Sequence, residues 1–352
     1  MPDYQELHHA REVMRRQSDL YQPSAFWDHA SSEISQELRA HGVERFRRLP
    51  LPLSYFVPTY GEPGGGFSSE TAGQLRAAIE GSEAGEAKKA RLALDQFLEG
   101  RMSALSDYRV LLAADDPARL PHLHTFSESD VGSPVEQFDF GGRKFSRSSL
   151  NYLLGLAVLK KHLGDDVPRI VLEVGGGFGT LGEVLSSAGI AGLKYIDIDI
   201  PPTSFVAQYY LSEVLGRQSV ATFADTEAKP IIEIESLPAA AVLCSWQIER
   251  LQGNVDLFVN FISFQEMEPP IVKNYLGHVD RLQTRWILLR NMREGKQVRT
   301  ANSVGVECPI FGDDYPAMLP NYEVVERNIF PFGFQTVDGF NSEIILLRRK
   351  GR

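Results

Sequence analysis

VLEVGGGFGTLGEVL, residues Val171–Leu185, runs from a short apolar segment into four glycines in five positions and out again into an amphipathic one. The first part has the length and β-branched content of a buried strand, the last part the spacing of a helix. Gly175, Gly176, Gly177 and Gly179 let the backbone turn sharply between them and let a ligand approach without a Cβ in its way. The helix that follows aims its free N–H groups at whatever lies there. A turn without a ligand would not need so many glycines.

The same alternation continues outward from this loop. LKYIDIDI (Leu193–Ile200) precedes the helical SFVAQYYLSEVLG, VDLFVNFISF (Val255–Phe264) precedes a helix through Ile271–Arg281, and RWILLRN (Arg285–Asn291) follows. The late runs YEVVERNIF and SEIILLRR read as a terminal antiparallel pair. Strands alternating with helices predict an α/β fold: a Rossmann-like, doubly wound, mostly parallel sheet with an antiparallel C-terminal strand pair. SLNYLLGLAVLKKHL (Ser149–Leu163) leads in as a helix with a basic last turn. Residues 148–352 are therefore read as this domain.

Residues 1–147 read as a mainly α-helical N-terminal region that covers the bound substrate and forms an oligomerisation surface. Helical pattern spans 27–47 and 69–114. Between them Leu49–Phe67, rich in proline and glycine, excludes regular helix and places Tyr55, Phe56, Tyr60 and Phe67 on a loop. That loop either packs on the body or serves as a substrate-covering lid.

Composition bounds the function. The 352 residues carry 36 Lys and Arg against 46 Asp and Glu, a net charge of −10, with 43% hydrophobic residues. This is a globular chain without the basic field that nucleic acid or an anionic membrane would require. Cys244 and Cys308 make neither a disulfide framework nor a zinc site. The polar N-terminus lacks a signal-like apolar stretch, and no run of about 18 apolar residues exists to span a membrane, so a cytoplasmic protein is expected.

Two ligands compete for the glycine loop. Gly177 to Gly182 satisfies G-x-G-x-x-G, the dinucleotide fingerprint, which keeps an NAD-dependent oxidoreductase open. Glu173, two residues before the first glycine, favours S-adenosylmethionine instead: its carboxylate can meet the cationic amino-acid end of that cofactor, directly or through water, and would repel a pyrophosphate. Asp197 and Asp199 alternate along the next strand, about twenty residues on, where an acid accepts hydrogen bonds from ribose hydroxyls. Asp199, at the strand's mouth before Pro201-Pro202, is preferred, with Asp197 second.

These residues together resemble motif I of the class I SAM-dependent methyltransferases. KYIDIDIPP (Lys194–Pro202), AQYYLSEVL (Ala207–Leu215), DLFVNFISFQEM (Asp256–Met267) and FGGRKFSRSSLNYL (Phe140–Leu153) are similar to the bacterial group designated sugar O-methyltransferases. The resemblance covers roughly residues 130–290. It implies transfer of a methyl group from S-adenosylmethionine, leaving S-adenosylhomocysteine, to a small acceptor. A sugar hydroxyl or glycosylated natural-product intermediate is the first expectation. Natural-product enzymes of similar appearance methylate carbon, including prenyl diphosphates, which is the alternative. A catalytically dead SAM-binding protein is a further one.

The acceptor should lie beyond the strand DLFVNF. Asn260 is assigned to the cofactor, with Ser263, Gln265 and Glu266 close to the transferred methyl group. Glu266 is the first candidate general base, in surroundings read as apolar, where a carboxylate's pKa rises. It reads equally as a carboxylate facing a helix N-terminus. Glu173, His122 and His124 are the other candidates, the His-x-His pair reading also as structural. Tyr209, Tyr210, Trp246 and Phe264 are candidate pocket walls or simply core. Gln247 or Ser245 could read the adenine edge. Arg143, Lys144 and Arg147 are either solvated or a clamp for an anionic acceptor. Asp313-Asp314 and Glu266…Glu268 permit Mg²⁺ without a spacing that demands it.

Overall fold

A computed structural model of the protein describes residues 4–62, 69–80, 84–300, 305–336 and 339–351. The N-terminal region contains helices α1 (Tyr4–Met14), α2 (Ala25–His41), α3 (Pro50–Tyr55), α4 (Ser69–Glu80), α5 (Ala84–Leu98) and α6 (Arg101–Ala114). A hairpin, β1 (Phe138–Phe140) and β2 (Arg143–Phe145), closes it. Gly141 and Gly142 both take positive φ in its two-residue turn, the geometry that matches strand twist. The expectation that Leu49–Phe67 holds no helix fails over α3. Pro50 and Pro52 stand in the helix's first turn, where a missing N–H costs nothing. Phe67 lies outside the described residues.

From Arg147 onward come α7 (Arg147–His162), β3 (Ile170–Val174), α8 (Thr180–Ser186), β4 (Lys194–Asp199), α9 (Thr203–Leu215), β5 (Val220–Ala221), α10 (Phe223–Thr226), β6 (Ile232–Glu233), β7 (Ala240–Cys244), β8 (Leu251–Gln252), β9 (Leu257–Phe261), α11 (Pro269–Arg281), β10 (Trp286–Met292), α12 (Asp314–Ala317), β11 (Tyr322–Asn328), β12 (Phe334–Gln335) and β13 (Asn341–Arg349). Helix α7 starts in a capping box: Ser146 Oγ accepts from Ser149 N at 3.2 Å, and Ser149 Oγ accepts from Ser146 N at 2.9 Å.

The main sheet has the order β11-β13-β10-β9-β3-β4-β7-β5, with β12 on β13. Strands from β10 to β5 are parallel; β13 is antiparallel to β10, β11 and β12. This is the doubly wound α/β sheet with the antiparallel C-terminal strands read from the sequence. Side chains alternate across it. Val171, Tyr195, Val242, Val259 and Leu288 join one buried cluster with α7, α8 and α9. Leu172, Ile196, Leu243, Phe258 and Leu289 join the other with α11. The N-terminal helices feed these same clusters: Ile34 and Leu38 of α2 the first, Ala10 and Met14 of α1 the second. From β3 the chain winds to one side through β4; β9 returns on the other side of β3. That reversal opens a crevice at the carboxyl ends of β3 and β9, where such sheets bind ligands.

Candidate functional site

The crevice is a cleft. Gly175, Gly176 and Gly177 form its floor, and Asp199, Ile200, Thr203 and Tyr275 one flank. Ser148, Asn151, Tyr152, Phe261, Ile262 and Ser263 form the opposite flank. The N-terminal region supplies the roof: Gln22, Ser24, Trp27, Tyr55, Phe56 and Pro58.

The glycines are required by what they touch. A Cβ on Gly175 would fall 2.1 Å from Ser263 Oγ, and one on Gly176 would fall 2.5 Å from Asp197 Oδ1 and 2.8 Å from Glu173 Oε2. Gly182 serves helix–strand packing instead, since a Cβ there would meet the Tyr195 ring at 2.7 Å. Asn260 latches the neighbouring strand ends: its Nδ2 donates to Val174 O at 2.9 Å and Ser263 Oγ at 2.6 Å, while its Oδ1 accepts from Phe264 N at 3.2 Å and Asn291 Nδ2 at 3.0 Å. It does not line the cleft.

Three carboxyls lie at increasing depth beneath and beside the loop. Asp199 lines the cleft; its Oδ2 accepts from Gly177 N at 3.1 Å and its Oδ1 from Ile200 N at 2.7 Å. Burial pushes its pKa up to about 7, and those backbone bonds oppose the rise. Asp197 is fully buried one pleat deeper, beside Glu173 in the strand register. Burial raises its pKa well above the ordinary carboxylate range, and the charges of Asp199 and Glu173 add to this. Glu173 is also fully buried, and burial pushes it to about 8 against the hydrogen bond that Tyr195 donates at 2.6 Å. Neither Glu173 nor Asp197 lines the cleft. The direct contact expected of Glu173 with a ligand's ammonium is therefore corrected: the glycine loop sits between them.

At the mouth, Glu266 lines the cleft on a short turn after β9. Its surroundings are not the apolar ones expected. Lys296 Nζ donates to Glu266 Oε1 at 2.5 Å, and Trp27 Nε1 donates to Oε2 at 3.1 Å. Nor does it face a helix end, because α11 begins at Pro269 behind Glu268. Aromatic rings line the same cleft. Trp27 and Tyr55 lie 5.7 Å apart, and Tyr152 stacks on Phe261 at 5.0 Å.

The other expected residues are elsewhere, and none lines the cleft. His122 N donates to Ala188 O, and His124 Nδ1 lies 3.6 Å from Asp115. The Arg143 guanidinium donates to Tyr108 Oη at 3.1 Å, and Lys144 Nζ pairs with Asp130 at 2.6 Å. Arg147 donates to Thr59 O at 2.8 Å and lies over the Phe334 ring. Their own acceptors draw these three cations away from an anionic acceptor in the cleft. Tyr210 donates to Glu183, and Tyr209 is half-buried on α9. Trp246 meets Phe223 edge-on, Phe264 stacks in the core, and Gln265 Oε1 accepts from Met292 N at 2.8 Å. Ser245 Oγ donates to Tyr21 O, and Gln247 Oε1 accepts from Cys244 N. Asp313 pairs with Arg327 at 2.8 Å, and among the described residues no three His, Cys, Asp or Glu side chains gather as metal ligands. No described helix is long and apolar enough to cross a membrane.

One network escaped the sequence reading. Arg47, fully buried, bonds Glu136 Oε1 at 2.7 Å and Glu128 Oε1 at 3.0 Å. Its guanidinium lies 5.1 Å from the Phe178 ring, the one side chain inside the glycine run. Glu128 also accepts from Ser146 Oγ at 2.9 Å. A buried charge triad thus ties the N-terminal region to both the glycine loop and the start of α7. The basic run RFRR gave no sign that its central arginine is interior; only its contacts do.

No known family model and no curated protein matches the sequence. Among solved structures, the chain is similar to magnesium protoporphyrin IX methyltransferase (ChlM) from Synechocystis PCC 6803, with bound SAH, at 15% identity and a TM-score of 0.39 over 58% of this chain and 84% of that one. It is similar to a SAM dependent methyltransferase from Aquifex aeolicus at 16% identity and a TM-score of 0.37, covering 57% and 93%. The mitomycin 7-O-methyltransferase MmcR aligns over 99% of this chain and 74% of its own at 11% identity and a TM-score of 0.33.

Proposed function

We propose that the protein is an S-adenosylmethionine-dependent methyltransferase acting on a small molecule. The observation that carries this reading is the charge and shape of the cleft. Its floor is bare glycine backbone, its flank is Asp199, and its mouth holds Glu266. Among the described residues that line it there is no Lys, Arg or His. A cleft lined by carboxyls and by no cationic side chain suits a sulfonium and an ammonium, and offers nothing to pair with the pyrophosphate of NAD.

Bound there, S-adenosylmethionine would supply an electrophilic methyl group. Asp199 accepts from the ribose hydroxyls. Ile200 and Tyr275 offer apolar surface to the adenine. Glu173, kept neutral beneath the loop by its burial, accepts from Tyr195 and supports the glycine floor. Trp27, Tyr55, Phe56, Tyr152 and Phe261 hold the acceptor and exclude water, which aligns it for in-line displacement. Glu266 accepts the proton of a hydroxyl acceptor, with Lys296 and Trp27 fixing its carboxylate. O-methylation of a sugar is the first reading, since rings of this kind stack on a sugar's apolar face. Carbon methylation of an unsaturated acceptor is the second, favoured by the same rings because their π faces stabilise a cation. A prenyl diphosphate loses support, because Arg143, Lys144 and Arg147 are engaged elsewhere.

The test is ligand binding followed by turnover. S-Adenosylhomocysteine should raise the melting temperature in a concentration-dependent way and NAD should not. Stabilisation by NAD alone overturns the reading. Once an acceptor is in hand, Glu266→Gln should lower kcat by about 10²–10⁴ while the affinity for S-adenosylhomocysteine holds. Near-normal turnover would make Glu266 a mouth residue only. A methyl ether or a new carbon–carbon bond in the product separates the two acceptor readings.

A further inference from the structure

We propose a second binding site, away from the cleft, for a multiply charged oxyanion such as a phosphate or diphosphate group. It lies between α1 and α2, in a cavity of about 200 Å³. That is many times the roughly 10–15 Å³ that one water occupies, so it has room for such a group and its hydration.

Three arginines converge there. Arg11 stands in the last turn of α1 and Arg15 just past its end, where its N–H still bonds Arg11 O at 3.2 Å, the i, i+4 spacing at which like charges repel. Arg39 comes from the last turn of α2. Among the described residues none of the three has a carboxylate within ion-pair distance. The acid lining the groove, Glu12, is turned to His8 at 3.6 Å. Arg11 is half-buried, and its pKa is pushed down first by that burial and then by the charges of Arg15 and Arg39, with Asp28 opposing weakly. Positive charge has therefore been concentrated at a local cost, in a chain whose net charge is −10. An oxyanion held by several guanidinium forks removes that repulsion and gains charge-assisted hydrogen bonds. One hydroxyl is in place as well. Ser32 Oγ accepts from Arg11 Nη2 at 2.8 Å, which leaves its own proton to donate into the groove.

The groove is separate from the glycine loop, yet its two helices flank Gln22–Ser24, which together with Trp27 of α2 roofs the cleft. The proposal does not depend on the methyltransferase reading. Its test is a calorimetric titration of the full chain with inorganic pyrophosphate, and separately with inorganic phosphate, at an ionic strength held constant with sodium chloride. Saturable binding of either at one site is expected. The double variant Arg15→Gln/Arg39→Gln changes two exposed side chains and should keep its fold and its affinity for S-adenosylhomocysteine. It should bind pyrophosphate at least tenfold more weakly. The proposal is overturned if neither anion binds beyond the chloride control, or if the double variant binds pyrophosphate as tightly as the parent does.

Discussion

Replacing Glu173 by Gln should make the protein less sensitive to alkali. In the folded chain Glu173 is fully buried, with Asp197 beside it on β4 and the Tyr195 hydroxyl donating to it at 2.6 Å. Burial lifts its pKa from an ordinary 4.5 to about 8. The folded state therefore binds this proton more tightly than the unfolded state, and stability falls as pH rises between those two values. Below about pH 4.5 both states are protonated and nothing is lost; above about pH 8 the loss is complete. At pH 6 the unfolded carboxyl is already ionised about 1.5 pH units past its midpoint. At pH 9 the figure is about 4.5, of which ionisation of the folded group returns about 1. The net change of about 2 units corresponds to roughly 2–3 kcal/mol of stability lost between pH 6 and pH 9.

Gln keeps the acceptor for Tyr195 and nearly the same volume but has no proton to lose. Asp199 and Glu128, both near 7, shift in the same direction and stay in both proteins. Asp197 is raised too and senses the Glu173 charge, so the difference between the two proteins reports Glu173 together with its effect on Asp197. Urea denaturation at pH 6, 7.5 and 9 and constant ionic strength should show the variant gaining on the parent by that amount as pH rises. A difference that stays flat across this range would show that Glu173 is ionised in the folded protein at pH 6, and would refute the account of a carboxyl kept neutral beneath the loop.

Two further substitutions probe the loop itself. Gly176→Ala places a Cβ about where Asp197 Oδ1 and Glu173 Oε2 lie, at 2.5 and 2.8 Å, so the loop must lift. We expect a loss of about 1–3 kcal/mol in denaturant-induced unfolding, the range for overpacking, together with weaker S-adenosylhomocysteine binding. Asp199→Ala removes the acceptor for Gly177 N and Ile200 N as well as the proposed ribose contact. It should weaken S-adenosylhomocysteine binding by about 1.5–3 kcal/mol in a calorimetric titration, and unchanged affinity would remove Asp199 from the site.

The parts of this molecule legible in the sequence are those set by neighbours along the chain. The strand, glycine loop and helix of residues 171–185 announce themselves because a sharp turn needs glycine, and α11 because its apolar residues recur at helical spacing. Strand β7 is not legible in this way. Ala240–Cys244 is a short run of five buried residues without alternation, and periodicity cannot distinguish that from a piece of buried helix. The roof of the cleft was harder still. Trp27 lies 239 residues from Glu266, which it contacts, and nothing in the local pattern of α2 sets it apart from a core aromatic.

Depth is the other quantity that a strand's alternation does not encode. Asp197 and Asp199 share a face of β4, as the period of two requires, yet one carboxylate meets the cleft and the other is sealed under Gly176. The same holds for Glu173, opposite Asp197 on β3. Which of several carboxyls on one face reaches a ligand depends on where the strand ends and on what the following loop covers. Here the loop's position is fixed from a distance: Phe178 is packed against Phe46 at 5.2 Å and against the Arg47 guanidinium, both from the N-terminal region. Bound Glu128 and Glu136 hold that guanidinium inside the protein, so the segments around Arg47 and Glu128–Glu136, before residue 147, help to fix the height of the glycine floor. They are structural components of the cleft as much as its cover, and cutting the chain at the change of sequence texture would leave Phe178 without the partners that hold it down.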